Sequence, residues 1–544
     1  MNLDPLVFIS NIELTPPSPD EKTADADRLI HELKKTGLNK IEIPLTILRR
    51  LPDELRKNDF KVRVVIGVKG DGFEVLEISI KNIYGLAFDI GTTNIECSLL
   101  DLSSGIKIDT EEAENPQMKF GSDVLTRVQI SIAGSPDDLT KELLEGINNL
   151  IISISKKNKI LPEDIFAITV AGNTIMSHYF LGLDVRNIPV SPYIPAVNYA
   201  VFTCADEIGL LVNKKAVVYI FPNAGSYVGG DILSGIIFSG LYKEKDPVLF
   251  IDVGTNVEIT MGNSDWIMAG AGAAGPALEG GVASIGKKAD KGTICKVRID
   301  RLTKEILIQS LVKTNTSPSP SSPPVKGGEL LQPSPLAGED RGEGDLPMNS
   351  LVAIDSMSGI EPTGICGSGM VDLVSEMFSS KIIDQSGKFT DSGKGVIVEN
   401  NEKAFLLYKS DKTELILTER EIQNFLLSKA AMFAFLYVFV RSVGLSFKDI
   451  NKVFISGALG CGTNLDNAVN IGLLPDMPRD KFIPLGNSSL AGAEMVLFDR
   501  SLIQEIDSIA SKITYREMNE DNELMNVLQG AMFIPHTDPE LLKG

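Results

Sequence analysis

From residue 84 onward, short apolar runs alternate with amphipathic stretches, the pattern of an α/β protein. The runs 84–88 and 95–100 read as strands. Helices are expected over 122–133 and 138–158, and a strand over 165–170. Gly172-Asn173-Thr174 then opens a helix. A strand at 216–220 leads to Val228-Gly229-Gly230-Asp231, which opens a helix through Ser239, and the theme begins again at Val248. A helix over 420–443 precedes the run Val453-Phe454-Ile455-Ser456-Gly457-Ala458-Leu459-Gly460, a strand ending in a small-residue turn, and 464–470 continues as a helix. Residues 1–82 form a separate small α+β unit. A helix is expected over 20–35, with Asp25, Leu29, Ile30 and Leu33 giving one face, and a second over 45–57. Strands 61–68 and 73–80 flank Lys69-Gly70-Asp71-Gly72, a hairpin signal.

The pattern breaks once. Residues 314–350, rich in Pro, Ser and Gly, hold too little apolar surface to order themselves and read as a disordered insertion in a surface loop. The expected partition is an N-terminal domain at 1–82, a middle domain at 83–246, a second large domain at 247–535 and a tail at 536–544. The longest apolar run, 430–440, is too short to span a bilayer and reads as a buried helix.

One short turn occurs twice. Asp89-Ile90-Gly91-Thr92-Thr93 and Asp252-Val253-Gly254-Thr255-Asn256 each follow an apolar strand and precede a β-rich run. Glycine lets the backbone approach an anion closely, and amide N–H groups and hydroxyls can face it. An Asp at a strand end is placed to hold Mg²⁺, usually through water. A single Asp-x-Gly-Thr is more often an ordinary turn; two in one register point to a pair of facing hairpins that hold a nucleoside triphosphate.

Composition narrows the partners. The 544 residues carry a formal charge of −20, which disfavours nucleic acid and anionic membrane. Five cysteines, at 97, 204, 295, 366 and 461, include no C-x-x-C pair, so reduced thiols in a cytoplasmic protein are expected, without a disulfide framework, zinc ribbon or local iron–sulfur loop. His31, His178 and His536 lack metal-ligand spacing and read as structural or exposed.

In combination these motifs resemble the actin-like ATPase superfamily of sugar kinases and heat-shock chaperones, and within it the reductive activators of corrinoid proteins. The segments that carry the second resemblance are 84–117 (through Asn115-Pro116-Gln117), Phe120 to Arg127 (FGSDVLTR), Ala171 to Met176 (AGNTIM), Val228 to Ile232 (VGGDI), Thr363 to Met370 (TGICGSGM) and Ile471 to Pro475 (IGLLP). The resemblance implies two ribonuclease-H-like domains, a linker-like N-terminal unit and a homodimer. It also implies ATP-driven reduction of Co(II) to Co(I) in a corrinoid protein. Members commonly carry an iron–sulfur domain held by clustered cysteines. The first cysteine here is Cys97, so no cluster is expected in this chain and the electron is expected from a separate ferredoxin. A small-molecule kinase on the same scaffold, or a nucleotide-dependent conformational switch, stays open as an alternative.

On this reading Asp89 and Asp252 are the Mg²⁺ carboxylates, and Gly91, Thr92, Thr93, Gly254, Thr255 and Asn256 bind phosphate. Asp231 orients or deprotonates the attacking water, or else simply complements a helix dipole. Gly457, Gly460 and the Gly486-Asn487-Ser488 turn border the adenosine. Gly275, in a glycine-rich stretch, and the helix opened by Gly367-Ser368-Gly369 fit the same site.

Overall fold

Where the N-terminal pattern promised one hairpin, the computed structural model has a four-stranded sheet. It describes residues 3–543 except 81, 135, 255–256, 273–280, 314–350, 356–360, 392–393, 400, 458–461 and 519–521. The proposed insertion therefore lies outside the described residues. Strands β1 (Val7–Glu13), β2 (Ile41–Glu42), β3 (Lys61–Lys69) and β4 (Gly72–Ile78) are ordered β1-β3-β4-β2. The β3–β4 turn uses Gly70 at φ +58°, a left-handed value that glycine adopts without strain. Helix Asp25–Lys35 buries Leu29 and Leu33 against this sheet. The single helix expected over 45–57 is two, Leu45–Leu48 and Leu51–Lys57.

The chain divides into two compact units, Met1–Phe238 with Ser488–Ile513, and Ser239–Asn487 with Thr514–Gly544. The partition expected from sequence carried one domain through 247–535; here 488–513 groups with the first unit.

The first unit's larger sheet contains β5 (Tyr84–Ile90), β6 (Asn94–Asp101), β7 (Ile106–Glu114), β8 (Ile165–Gly172), β9 (Val201–Cys204) and β10 (Val217–Ile220), ordered β7-β6-β5-β8-β10-β9. Strands β5, β6 and β7 form an antiparallel meander, and β8 and β10 then run parallel to β5. Every residue of β8 is buried, as expected for a strand covered on both faces. Helix Ser488–Phe498 packs on β5 and β8. There Thr169 Oγ1 donates to Ala493 O at 2.8 Å, and a Cβ on Gly85 would meet Leu497 at 3.2 Å. The N-terminal piece is fastened to the end of this helix: Arg500 pairs with Asp4 and lies over the rings of Phe8 and Phe73.

The second unit repeats the arrangement. Its six-stranded sheet has β11 (Val248–Val253), β12 (Val257–Gly262) and β13 (Ile267–Gly272) as the meander. Four further strands form a smaller sheet, ordered β16-β15-β14-β17: β14 (Thr293–Ile299), β15 (Ile306–Lys313), β16 (Leu351–Asp355) and β17 (Gly364–Ile365). A three-stranded sheet follows: β18 (Val396–Glu399), β19 (Glu402–Lys409) and β20 (Glu414–Thr418). Strands β21 (Val453–Ser456) and β22 (Phe482–Gly486) run parallel to β11. With the edge strand β23 (Ile513–Tyr515) the order is β22-β21-β11-β12-β13-β23. Meander, then parallel strands: the expected ribonuclease-H-like sheet is present twice.

Helix Glu419–Arg441 starts with a Thr418/Glu421 capping box and fills the second core with Phe425, Phe433 and Phe439. It is the one helix among the described residues long and apolar enough to cross a membrane, and 72% of its apolar window is buried inside the protein. Near its middle, the fully buried Lys429 donates to the carbonyls of Ala531, Phe533 and Pro535 at 2.6, 2.7 and 2.7 Å. The stretch read from sequence as a tail is thus part of this core, with His536 and Leu542 both buried.

Candidate functional site

The first acidic turn sits where β5 passes into β6. Asp89 pairs with Glu96 across the hairpin and with Ala171 on parallel strand β8. Its Oδ1 accepts from Ser489 Oγ at 2.8 Å, which fixes the carboxylate at the strand end. The turn Gly91-Thr92-Thr93 is held from behind by one stretch of chain. Gly91 O accepts from Asn115 Nδ2 at 2.9 Å, Thr92 O from Arg127 Nη2 at 2.6 Å, and Thr93 O from Asn115 N at 2.8 Å. Each peptide plane carries its N–H opposite its C=O, so three inward carbonyls direct the next three amides the other way. Thr92 Oγ1 also accepts from Asn173 Nδ2 at 3.2 Å. The Asn173 side chain in turn caps helix Thr174–Leu181 by accepting from Met176 N.

Two glycines let another segment cross this helix start. A Cβ on Gly229 would stand 2.5 Å from Asn173 Cα, and one on Gly230 would stand 2.6 Å from Phe221 Cβ. Here the reason for Val228-Gly229-Gly230-Asp231 is space rather than backbone conformation. Asp231 then begins helix Gly230–Ser239, and its Oδ1 accepts from the Ile232 N–H at 2.8 Å, an anion at the positive end of a helix.

The second acidic turn has the same register. Asp252 pairs with Glu258 in the hairpin and with Ser456 on β21, and Val253 bridges to Gly457. The corresponding pairs in the first unit are Asp89 with Ala171 and Ile90 with Gly172. Gly457 has φ +70°, and a Cβ there would stand 2.4 Å from Val253 O and 2.6 Å from Asp252 Oδ1. The carboxylate thus rests directly against a bare backbone. Ser456 Oγ donates to Gly486 O at 3.0 Å, which ties the β22 end, and the Asn487 turn after it, into the same row. Among the described residues, none has an atom within 4 Å of a Cβ added at Gly254.

The structure therefore groups Asp89, Gly91, Thr92 and Thr93 in the first unit, and Asp252, Gly254, Gly457 and Gly486 in the second. Thr255, Asn256, Gly275 and Gly460 lie outside the described residues. Sequence reasoning assigned no role to Asn115, Arg127, Asn173, Ser456 or Ser489. Asn115, Arg127 and Asn173 lie in stretches that carried the family resemblance, which was the available signal. His178, fully buried, has Nδ1 against Thr174 O at 2.7 Å and accepts from Ala196 N at Nε2, a packing role as expected. Among the described residues no three His, Cys, Asp or Glu are grouped as a metal site. Asp89 and Asp252 each stand near the end of a strand, and a carboxylate is the ligand type that suits Mg²⁺.

Comparison with known proteins covers nearly the whole chain. The family described as the C-terminal domain of RACo, the ASKHA domain, matches residues 246–544. The RACo middle region matches 84–244, and the RACo linker region matches 1–82. The corrinoid activation enzyme RamQ of Eubacterium limosum is 26% identical over 470 residues, which cover 83% of this chain and 71% of that protein. The [Co(II) methylated amine-specific corrinoid protein] reductase of Methanosarcina barkeri is 22% identical over 441 residues, covering 79% and 73%. Among solved structures, a reductive activator for corrinoid,iron-sulfur protein superposes with a TM-score of 0.85 at 34% identity, covering 99% of this chain and 80% of that one.

Proposed function

The chain belongs to the RACo family, and from that premise we propose that it is an enzyme that reductively activates a corrinoid protein at the expense of ATP. One electron from a low-potential donor converts Co(II) to Co(I) in the partner, while ATP and water become ADP and phosphate. A separate ferredoxin is the proposed donor, since the cysteines of this sequence lack cluster spacing. A cytoplasmic homodimer is the proposed working form.

The single observation that carries the nucleotide part is the repeated register, Asp89 beside Ala171-Gly172 and Asp252 beside Ser456-Gly457. Asp89 and Asp252 would hold Mg²⁺ through water. Gly91, Thr92, Thr93, Gly254, Thr255 and Asn256 would receive the phosphates. Gly275, Gly457, Gly460, Gly486 and Asn487 would border the rest of the nucleotide, and Asp231 would orient the attacking water. Phosphoryl transfer consists mostly of positioning and charge stabilisation, so such a cradle with its metal would do much of the work.

The test mixes the protein with candidate Co(II)-corrinoid proteins, MgATP and a low-potential reductant, and follows the cobalt absorption spectrum. The expected result is Co(I) formation that needs both ATP and this protein. Hydrolysis that instead requires a small-molecule acceptor, with no cobalt change for any candidate, would replace this reading with a kinase.

A further inference from the structure

Among the described residues Arg127 is one of the largest fully buried side chains, and every hydrogen bond it makes there goes to a neutral acceptor. Nε donates to Gly121 O at 2.9 Å, Nη1 to Gln117 Oε1 at 3.3 Å and Nη2 to Thr92 O at 2.6 Å; the Met118 and Met176 sulfurs complete the shell. The titratable groups nearest in electrostatic terms are Tyr179 and Asp123. The Asp123 carboxylate is engaged with Thr126 N and Oγ1 at the start of helix Val124–Ala133. A guanidinium stays charged in proteins, and a buried charge without an ionic contact is costly. A site with that cost invites a function beyond packing.

The geometry points to Arg127 as a positioning residue for the triphosphate turn, acting through Thr92. This rests on the nucleotide reading above and deepens it. The guanidinium fixes the Thr92 carbonyl inward, and so fixes the orientation of the Thr93 amide in the same peptide. It also places a positive charge directly behind a turn meant for an anion, in a medium that screens it far less than water does. Asn115 does the same for the two flanking carbonyls but brings no charge. The two contributions separate by substitution. Arg127→Lys keeps the charge but loses the planar fork; Arg127→Gln loses both.

The experiment measures equilibrium binding of MgATP and of AMP to the full chain, with circular dichroism and thermal melting on each variant. The expected result for Arg127→Gln is a loss of MgATP affinity of about tenfold or more, with AMP affinity changed less than twofold. Arg127→Lys should fall between that variant and the wild type. If Arg127→Gln does not fold, Arg127→Lys carries the test, with a loss of about threefold or more expected. A folded variant that binds MgATP as tightly as wild type, or loses AMP and MgATP equally, overturns the inference while leaving the nucleotide reading intact. Failure of the wild type to bind MgATP at all removes that reading, and this inference with it.

Discussion

The two acidic turns are built on one plan and supported in different ways. The first is held by side chains from elsewhere in its unit: Asn115, Arg127 and Asn173 reach the turn, and Ser489 reaches the carboxylate. In the second, backbone conformation is the support that stands out among the described residues. Gly457 turns left-handed against Asp252, and no side chain replaces the missing Cβ. A hairpin motif thus specifies where a carboxylate sits, while the means of holding it there is free to vary.

The largest expected effect tests what the two turns share. Asp252→Asn and Asp89→Asn should each lower ATP hydrolysis by about 10²–10³-fold, the usual cost of removing one electrostatic stabiliser from such a site. Initial-rate measurements check this, and an Asp89→Asn enzyme with wild-type rates would break the parallel. Next, Gly457→Ala should destabilise the protein by about 3 kcal/mol, from left-handed strain and the overlap with Val253 O. Gly172→Ala, the equivalent change in the first unit, adds a Cβ 2.9 Å from Ile90 O without a positive φ and should cost at least ~1 kcal/mol less. Chemical denaturation of the pair sharpens the contrast, and equal losses would remove it. Asn115→Ala should cost about 2 kcal/mol, because it leaves Gly91 O without its amide donor in a buried setting.

Two buried groups, one in each unit, respond to acid with opposite signs. Burial in the first unit lowers His178 below its ordinary value. The unfolded chain then binds the extra proton first, and stability falls as pH drops below about 6.5. In the second unit burial pushes Asp372 up to about 6, against the pull of the Asn467 amide at 2.7 Å. The folded protein keeps that proton where the unfolded carboxyl releases it. Its stabilising contribution is therefore whole below about pH 4 and is lost as pH rises through about 6. Asp372→Asn should remove a slope worth about 3 kcal/mol over that range, and His178→Gln should remove the opposite one. Stability measured against pH for each variant reads both slopes, and identical profiles would show that neither group titrates as described.

The parts of the fold legible in sequence were those with local signals. Both hairpins carried their own punctuation, and each expected strand of the two large sheets from 84 onward is present. The supports of the first turn were not legible as supports, because Asn115, Arg127, Asn173 and Ser489 meet only after folding. The three-stranded sheet β18–β20 was missed: its short strands alternate weakly and hold many charges. The grouping of 488–513 with the first unit is likewise invisible locally. Helix Ser488–Phe498 is apolar on nearly every side, which signals burial but names no neighbour.

Lys429 has a practical consequence for handling the protein. Its ammonium has three donors and meets three main-chain oxygens, the last of them on Pro535. A deletion that stopped short of Pro535 would leave that buried amine without one of its acceptors. Purification handles and truncation boundaries therefore belong away from that stretch, and carboxypeptidase trimming toward it should be followed by aggregation rather than by a shortened, working enzyme.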